Sequence, residues 1–217
     1  MQTNLEVFAR KKTPTIEEYQ DIFGMIQNQT ERLSHLSEVL LDMTGIQSVE
    51  RSDFISLAEL TDEVCCDLAS IADQKKVELI QEEGDCTVTG SYLLLYRAVY
   101  NLVENAIKYN HSGGKVTVKI SQTKALPAAH SKPADYALVE VTDTGIGISP
   151  EYQEKIFAPF FRVDKSRSRA MGGAGLGLAL VAEIARQHGG QVKVLASSKK
   201  GSTIALMLPI NSPLIEI

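Results

Sequence analysis

The stretch "NLVENAIKYN", residues 101–110, decides the fold of this chain. It has the composition of a helix that packs in a core, yet it carries two asparagines and a lysine at regular spacing. Because a helix advances about 100° per residue, positions i, i+4 and i+7 share a face. Asn101, Asn105 and Lys108 therefore form one row on the predicted helix. The residues that lie mostly off this row and can pack are Leu102, Ala106 and Ile107.

Length and composition set the class of protein. A chain of 217 residues allows one domain of ordinary size and an appendage. Hydrophobic residues make up 44% and charged residues 23%, as in ordinary soluble globular proteins. The net charge of -5 argues against nucleic acid as a partner, because phosphate backbones attract cationic proteins.

Cysteine usage and hydropathy predict a cytoplasmic fragment. Cys65, Cys66 and Cys86 are an odd number without metal-ligand spacing, so we interpret them as reduced thiols in a cytosol. No apolar run reaches the roughly 18 residues that a membrane span needs, and no signal peptide opens the chain. A longer parent protein anchored in a membrane remains compatible with these features.

Residues 15–44 are predicted to form one helix, with Glu17 and Glu18 in a first turn that suits the helix dipole. Apolar residues follow steps of three and four along it, with Gln29 as a polar interruption: Ile22, Ile26, Leu33, Leu36, Leu40 and Met43. This heptad pattern favours a partner helix. The alternative is a helix that packs on its own domain.

The rest of the chain alternates between helices and strands. Helices are predicted from Ser56, where Glu59 completes a capping box, over 91–109 and over 176–190. A further helix is predicted to start at 149–157, with Pro150 in its first turn. The predicted strands are 76–80, 86–90, 115–120, 136–143, 191–196 and 202–209, and 125–135 is predicted to be a loop. The segment 48–54 is polar and ends the heptad pattern. The sum is an α/β (α+β) two-layer sandwich with a mixed sheet, about three helices and an N-terminal helical arm.

The segment "DTGIGI", 143–148, follows a predicted strand. Gly145 and Gly147 allow a close backbone approach that a Cβ would block. Asp143 is the only charge there, and a carboxylate in that place can accept a hydrogen bond from an amino group such as N6 of adenine. Taken alone, a D-x-G sequence is more often just a turn.

The segment "GGAGLGLALV", 172–181, is a glycine run that opens into a helix. Backbone N–H groups and the helix dipole at such a place form an anion site. The lysine of a P-loop is absent, and so is the acid that binds ribose in a dinucleotide fold. The segment is therefore a phosphate cradle of another kind or, alternatively, a flexible loop with a helix cap.

Taken together and in this order, the motifs resemble the N, G1, F, G2 and G3 boxes of sensor histidine kinases. The five segments are "NLVENAIKYN", "DTGIGI", "IFAPFFRVD", "GGAGLGLALV" and "GSTIALMLP", which span residues 101–209. The arm over 15–44 resembles the second helix of the family's dimerisation hairpin. The resemblance implies a Bergerat-type ATP-binding catalytic domain over 53–217. It also implies partial dimerisation and histidine-phosphotransfer helices over 1–48.

The resemblance also implies a role for the row on the helix. Asn105 would supply an oxygen to Mg²⁺, a hard ion that prefers oxygen ligands, and Lys108 would reach the phosphates as a point charge. Asn101 would contact phosphate or metal-bound water. Arg162 would lie near the γ-phosphate, in a lid over 158–174 that also holds Lys165, Arg167 and Arg169 and is expected to be poorly ordered without triphosphate.

The remaining implied contacts are with ATP or ADP. Asp143 would bind the adenine amine and Tyr109 would stand beside the base, while Gly145 and Gly147 would leave room for it. Gly173, Gly175 and Gly177 would cradle the phosphates. The other residues implied in the nucleotide site are Ile148, Phe157, Leu176 and Leu178.

The implied function is transfer of the γ-phosphoryl group of Mg-ATP to a histidine on a dimerisation helix, for relay to a response regulator receiver domain. A homodimer is implied for the full-length parent. The alternatives are an ATP-driven conformational switch of the gyrase or chaperone type, and a degenerate nucleotide-binding module. Gyrase and chaperone ATPases hold a glutamate where this chain has Asn101, and an amide is not a general base at neutral pH. Glu104 lies roughly 60° off the row, and we interpret it as a solvated surface acid.

The phosphoacceptor is missing from the sequence. In the family the acceptor histidine is followed by an acid and then a proline, a pattern that no histidine of this chain has: His35, His111, His130 and His188. We therefore expect the chain to begin just after its own acceptor and not to phosphorylate itself. His111 and His130 are predicted to lie in loops. His188 lies near a helix C-terminus, where a cation would suit the dipole.

Overall fold

The structure, a computed structural model, describes residues 51–125, 134–163 and 175–210. Of the first fifty residues it describes Thr15, Ile16, Tyr19, Gln20, Ile22, Phe23, Gly24, Ile26 and Thr30. All of these except Thr15 are helical, in agreement with the helix predicted over 15–44. The following predictions lie outside the described residues: the heptad pattern beyond Ile26, the lid over 164–174 with Gly173, and the surroundings of His35 and His130.

Beyond this arm, the described ranges form helices and strands in alternation. The α-helices are α1 (Leu57–Lys75), α2 (Tyr92–Lys108) and α3 (Gly177–Gln187). The first strands are β1 (Asp53–Ser56), β2 (Glu78–Gln81) and β3 (Thr87–Gly90). The longer strands are β4 (Lys115–Ala125), β5 (Ala134–Asp143), β6 (Gln191–Ser198) and β7 (Gly201–Pro209). Two 3₁₀ turns, Pro150–Tyr152 and Lys155–Phe157, lie between β5 and α3.

Helix α1 begins where the sequence predicts it. The Ser56 hydroxyl accepts a hydrogen bond from the N–H of Glu59 at 3.2 Å, which is the N-cap half of the predicted capping box. The helix ends at Lys76, whose left-handed φ of 57° turns its N–H back to the carbonyls of Ala72 and Asp73. Strand β2 can therefore start two residues later and run back along the helix.

Five strands form one mixed sheet in the order β2-β4-β5-β7-β6. Strands β2 and β4 are parallel and the other neighbours are antiparallel, so the predicted mixed sheet is confirmed. Strands β1 and β3 form a separate antiparallel ribbon. The register places Asp143, the last residue of β5, between Val116 of β4 and Ser202 of β7. The motif that follows β5 therefore emerges from the middle of the sheet.

The three helices cover one face of the sheet and complete the two-layer sandwich. Every second residue at the start of β4 is buried, as expected for a strand with one packed face: Val116, Val118 and Ile120. Helix α2 contributes the largest share of the core, with Leu94, Leu95, Ala98, Val99, Leu102, Val103, Ala106 and Ile107. Burial of each large aliphatic side chain contributes about 1.5–3 kcal/mol. The apolar face of α2 therefore fixes the direction in which its polar row points.

Three elements differ from the sequence prediction. No strand was predicted before Ser56, but Asp53–Ser56 forms β1 because it pairs with β3, more than thirty residues away. Strands β4 and β5 extend to Ala125 and from Ala134, into the predicted loop, because each supplies the other's hydrogen bonds. The helix predicted from 149 is two separate 3₁₀ turns, the second of which packs against α3.

Two predictions from composition have structural counterparts. Cys65, Cys66 and Cys86 are free thiols. Burial raises the pKa of Cys65 to about 11, with smaller contributions from Asp62 and Cys66. Such a thiol stays protonated and unreactive near neutral pH. Among the described residues, no helix is both long enough and apolar enough to cross a membrane.

Candidate functional site

The two asparagines of the row use their amide nitrogens within α2. Nδ2 of Asn101 donates to the carbonyl of Arg97 at 2.8 Å, and Nδ2 of Asn105 donates to the carbonyl of Asn101 at 2.7 Å. A backbone carbonyl only accepts hydrogen bonds, so the nitrogen of each amide must face it and Oδ1 must point elsewhere. Both side chains are half-buried, whereas the neighbouring Leu102 and Ala106 are buried. The row therefore presents acceptor oxygens outside the packed core.

Helix α3 begins directly on this row. A Cβ on Gly177 would lie 2.5 Å from Oδ1 of Asn101 and 3.7 Å from Nδ2 of Asn105, so a larger residue would displace the amides. Leu176 is 1% exposed and anchors the start of α3 in the core, and Leu178 packs partly against that core. The first N–H groups of a helix have no partner within it and attract anions. Those of α3 begin beside the two amides.

Lys108, the third member of the row, lies among other charges. Burial lowers its pKa; Glu104 acts in the opposite direction, while Arg162 and Lys75 lower it further. Burial also raises the pKa of Tyr109, although Arg162 opposes that change. Three cations and one carboxylate therefore interact at the C-terminal end of α2. This excess of positive charge suits a polyanion.

Lys75, the last residue of α1, caps the C-terminal end of α2 with its ammonium group. Its Nζ donates to the carbonyl of Ile107 at 3.4 Å and to the carbonyl of Lys108. The last carbonyls of a helix have no partner within the helix, and a cation beside them suits the helix dipole. Burial lowers the pKa of Lys75. The end of α2 that carries Lys108 and Tyr109 is thus fixed by α1.

Asp143 ends β5 in a half-buried position. Burial raises the pKa of its carboxyl, and hydrogen bonds from the N–H groups of Gly145 and Ser202 oppose that rise. The bond from Gly145 to Oδ1 is 2.7 Å long. A Cβ on Gly145 would collide with the carbonyl oxygen of Tyr109, so glycine lets this loop lie against the end of α2. The carboxylate keeps acceptor capacity for a further donor.

The second half of the "DTGIGI" segment packs on the β6–β7 hairpin. Gly147 has a φ of +71°, and a Cβ there would collide with the carbonyl of Ser198. The next residue, Ile148, is half-buried and donates its N–H to Oγ of Ser197 at 2.7 Å. Ile146, between the two glycines, is 64% exposed. The hairpin, which the sequence analysis treated only as an element, is thus the support of this loop.

Described residues on either side of the segment 164–174 contact each other. Phe160 donates its N–H to the carbonyl of Gly175 at 2.9 Å, and both residues have positive φ, 62° and 73°. A Cβ on Gly175 would lie 2.8 Å from the carbonyl oxygen of Phe161. The Phe161 ring lies 5.7 Å from the ring of Tyr152. Phe157, in the turn before them, is half-buried.

Two interpretations from the sequence need correction. Glu104 was interpreted as a solvated surface acid, but it is half-buried and acts on the pKa of Lys108, Tyr109 and Tyr100. Tyr100 and Lys108 each lie four residues from Glu104 on the same helix, and side chains at that spacing are neighbours on the helix surface.

His188 was interpreted as a cation near a helix end, but the structure favours the neutral ring. Its Nε2 accepts the N–H of Ser91 at 3.1 Å, and its Nδ1 faces the carbonyl of Ile184 at 2.8 Å, which requires a donor. Burial lowers the pKa of His188, Ile184 opposes the change and Arg51 adds to it. The predicted loop position of His111 is confirmed, since this residue is exposed beyond the end of α2.

Sequence reasoning missed Lys75, Asn110 and Thr144 as parts of the site. Lys75 reaches the site from a different helix, and nothing in the local pattern of α1 points to α2. Asn110 and Thr144 each stand inside a recognised motif, and they contact each other across 34 positions. For Asn110 and Thr144, their place inside the motifs 101–110 and 143–148 was the signal that could have indicated a role near the site.

Comparison with known proteins identifies the family. Residues 90–212 match the family described as histidine kinase-, DNA gyrase B- and HSP90-like ATPases. The chain is 32% identical over 213 residues to the sensor histidine kinase RppB of Synechocystis, covering 96% of this chain and 45% of that protein. It therefore spans about half the length of the curated relatives that it matches.

Solved structures share the fold. The mycobacterial sensor histidine kinase MprB is 29% identical, with a TM-score of 0.58, and the match covers 73% of this chain and 97% of that one. Histidine kinase ThkA, solved in complex with response regulator protein TrrA, is 20% identical, with a TM-score of 0.67 over 95% of this chain and 56% of that one. These matches agree with the mixed α/β fold of a histidine kinase catalytic domain.

Proposed function

Because the chain belongs to the family of histidine kinase-, DNA gyrase B- and HSP90-like ATPases, we propose that it binds Mg-ATP between α2 and α3 and transfers the γ-phosphoryl group to a histidine of a dimerisation helix. A response regulator receiver domain would then take the phosphoryl group. One observation carries the proposal: Gly177, at the start of α3, lies against the amide oxygen of Asn101 and near the amide nitrogen of Asn105. This contact brings the motifs around 101–110 and 172–181 to one place.

The adenine would lie beside the end of β5. Asp143, held by two backbone N–H groups, offers its remaining acceptor capacity to an exocyclic amino group. Gly145 keeps the loop close to Tyr109, and Gly147 and Ile148 rest on the β6–β7 hairpin. Residues on rigid elements therefore frame the base.

The phosphates would lie between the amide row and the start of α3. Lys108 and Arg162 supply positive charge, and the first N–H groups of α3 supply donors. A Cβ on Gly175 would crowd the segment that holds Phe161, and a Cβ on Gly177 would crowd the amide of Asn101. Gly173 belongs to the same proposed cradle.

The oxygen of Asn105 fits Mg²⁺, because its nitrogen is already bonded to the carbonyl of Asn101 and only the oxygen is left to bind a cation. Mg²⁺ usually takes one or two protein oxygens and completes its shell with water and phosphate oxygens. When bound, it would neutralise phosphate charge during transfer. Asn101 would hold a phosphate or a metal-bound water from one turn earlier.

Transfer is favoured over hydrolysis by the chemistry of Asn101. An amide cannot take a proton from water at neutral pH, and the nitrogen of this one is already bonded to Arg97. Glu104, the nearest carboxylate on α2, interacts with the cation of Lys108. We therefore expect slow ATPase activity, in contrast to an ATP-driven conformational switch.

Calorimetry with ATP and ADP, with and without Mg²⁺, followed by an ATPase assay, tests the proposal. We expect Mg²⁺-dependent binding of ATP and little hydrolysis. A rapid ATPase would favour the conformational switch. Absence of nucleotide binding by the folded chain would favour a degenerate module and would contradict the proposal.

The proposed partners depend on kinase function. They are the dimerisation helix of the same kinase, a receiver domain and a second copy of the full-length parent in a homodimer.

A further inference from the structure

A compact hydrogen-bonded group lies behind the proposed nucleotide site. Asn110 follows the last turn of α2, and its Nδ2 donates to the carbonyl of Lys115 at 2.9 Å. Its Oδ1 accepts from the Thr144 hydroxyl at 3.2 Å and from the N–H of His111 at 3.0 Å. One amide thus joins the end of α2, the start of β4 and the loop after β5.

Thr144 completes the group from the other side. Its hydroxyl accepts the N–H of Lys115 at 2.9 Å and donates to Asn110, while its own N–H donates to the carbonyl of Lys115 at 3.1 Å. The amide of Asn110 lies over Gly114, where a Cβ would overlap Oδ1. Gly114 is buried, and Asn110 and Thr144 are half-buried. Its hydrogen bonds and its contact with Gly114 hold the Asn110 amide in this orientation.

The two members of this group are chain neighbours of two proposed ligand contacts. Asn110 follows Tyr109, and Thr144 follows Asp143. The backbone also links these segments, because Ile146 donates its N–H to the carbonyl of Tyr109 at 3.3 Å. Motion of the loop after β5 relative to α2 would therefore stretch the contact between Asn110 and Thr144.

We propose that Asn110 and Thr144 are positioning residues that form a clamp, here called the 110–144 clamp. The clamp sets the distance between the half of the site that binds the base and the half that binds the phosphates. Neither residue is a proposed ligand contact; the clamp acts through Asp143 on one side and through the end of α2, which carries Lys108, on the other. This inference rests on the proposed function, since it assigns the clamp to the same nucleotide site.

The clamp matters for ligands that contact both halves at once. Asp143 belongs to the loop after β5, whereas Asn105 and Lys108 belong to α2. A nucleotide gains fully from both sets of contacts only if their spacing matches the length of the ligand, since a pre-organised site binds more tightly. Adenosine has no phosphates to contact Asn105 or Lys108, so its affinity depends less on this spacing than the affinity of ADP does.

The test is calorimetry of ADP on the full chain, with substitutions at Thr144. Thr144→Val removes the hydroxyl at constant shape and should weaken ADP binding roughly tenfold, as loss of hydrogen bonds on this scale predicts. Thr144→Ser keeps the hydroxyl and should restore binding. Thr142→Val is the matched control, because Thr142 lies on β5 two residues earlier and bonds Thr203 at 3.0 Å on an exposed site.

Asn110→Ala and Gly114→Ala test the other side of the clamp. Gly114→Ala leaves every hydrogen-bonding group in place and displaces the amide by crowding. Both should weaken ADP binding, and Asn110→Ala combined with Thr144→Val should cost less than the sum of the two single changes. Additive losses would contradict the clamp.

Adenosine separates positioning from damage to the base site. With NMR titration as the measurement, Thr144→Val should lose a smaller factor for adenosine than for ADP. Equal factors, or an ADP affinity that matches the Thr142→Val control, would overturn the clamp and leave the proposed function standing. A folded wild-type chain that does not bind ADP would overturn the proposed function and the clamp with it.

Discussion

The Asp143 carboxylate accepts hydrogen bonds from two backbone N–H groups, those of Gly145 and Ser202, and Asp143→Asn keeps the shape of the side chain and one acceptor oxygen. In Asp143→Asn, the new oxygen can still accept from Gly145, but the other half of the group becomes a donor that faces the amino group of adenine. A lost acceptor for a buried donor costs about 1–3 kcal/mol, and more for a charged partner. We expect ADP affinity to fall at least tenfold in calorimetry.

Asp135→Asn is the control for this prediction. Asp135 lies near the start of the same strand, is exposed, and undergoes the same change of charge. Its ADP affinity should match that of the wild type. An unchanged affinity in a folded Asp143→Asn variant would show that the carboxylate does not contact the base.

Asn105→Ala should separate metal binding from folding. The amide is half-buried and bonds only within its own helix in the described contacts, so its loss should change the thermal midpoint by a few degrees at most. Removal of the oxygen should remove most of the difference between the ATP affinities measured with Mg²⁺ and with a chelator. If that difference persists in Asn105→Ala, another group holds the metal.

At the residue scale, helical periodicity predicted the row Asn101, Asn105 and Lys108 because all three lie on one continuous helix. Periodicity could not predict which amide atom faces outward, since that depends on the carbonyls of Arg97 and Asn101. It also could not predict Lys75, which arrives from another helix. Local patterns thus locate a polar face, and tertiary contacts decide its chemistry.

At the scale of elements, α2 and α3 are antiparallel neighbours that touch at both ends. Gly177 meets Asn101 near the proposed ligand, and His188 accepts the N–H of Ser91 at the far end. Protonation of His188 would remove that acceptor. The contact should therefore hold only when the ring is neutral.

A pH dependence of stability follows from His188. Its pKa is lower in the folded chain than the value of about 6.5 expected after unfolding, so the unfolded state binds more protons as the pH falls. The contribution is complete above about pH 6.5 and is lost progressively as the pH falls toward the folded pKa. Chemical unfolding at pH 7.5 and at pH 5.5, conditions chosen on either side of roughly that value, should show a smaller drop for His188→Gln than for the wild type.

His111→Gln is the control, because His111 is exposed in the loop after α2. Its drop in the free energy of unfolding between the two pH values should equal that of the wild type. A His188→Gln variant with the same drop as the wild type would show that this imidazole does not favour the neutral form in the folded chain.

Elements with local signals were predicted well, and elements defined by distant partners were not. Helix α2 was expected over 91–109 and occupies Tyr92–Lys108, because its apolar period and flanking residues are local. Strand β1 has only four residues and depends on β3. The segment 149–157 has a helix-start signal, but contacts with α3 break it into two turns. Short elements are where tertiary packing overrides propensity.

At the scale of the whole molecule, the proposed machinery for ATP lies in the described domain, whereas we expect the acceptor of the phosphoryl group to lie elsewhere. His188 is half-buried, and both of its ring nitrogens already have hydrogen-bond partners. His111 is exposed, but neither it nor any other histidine of the chain is followed by the acid and proline of the family's acceptor: His35, His130 and His188. We therefore expect donor and acceptor to come from different segments or different chains.

The 217-residue chain should therefore bind ATP and yet fail to label itself. Incubation with γ-labelled ATP should give no acid-labile, alkali-stable label on this chain, whereas an added dimerisation hairpin with an acceptor histidine should become labelled. The rate should be low, because two separate molecules lose the proximity that a shared chain provides, which can cost several kcal/mol. Asn105→Ala is the control and should abolish labelling of the hairpin. Stoichiometric self-labelling on any of the four histidines would refute the prediction, since one of them would then be an acceptor without the family's pattern.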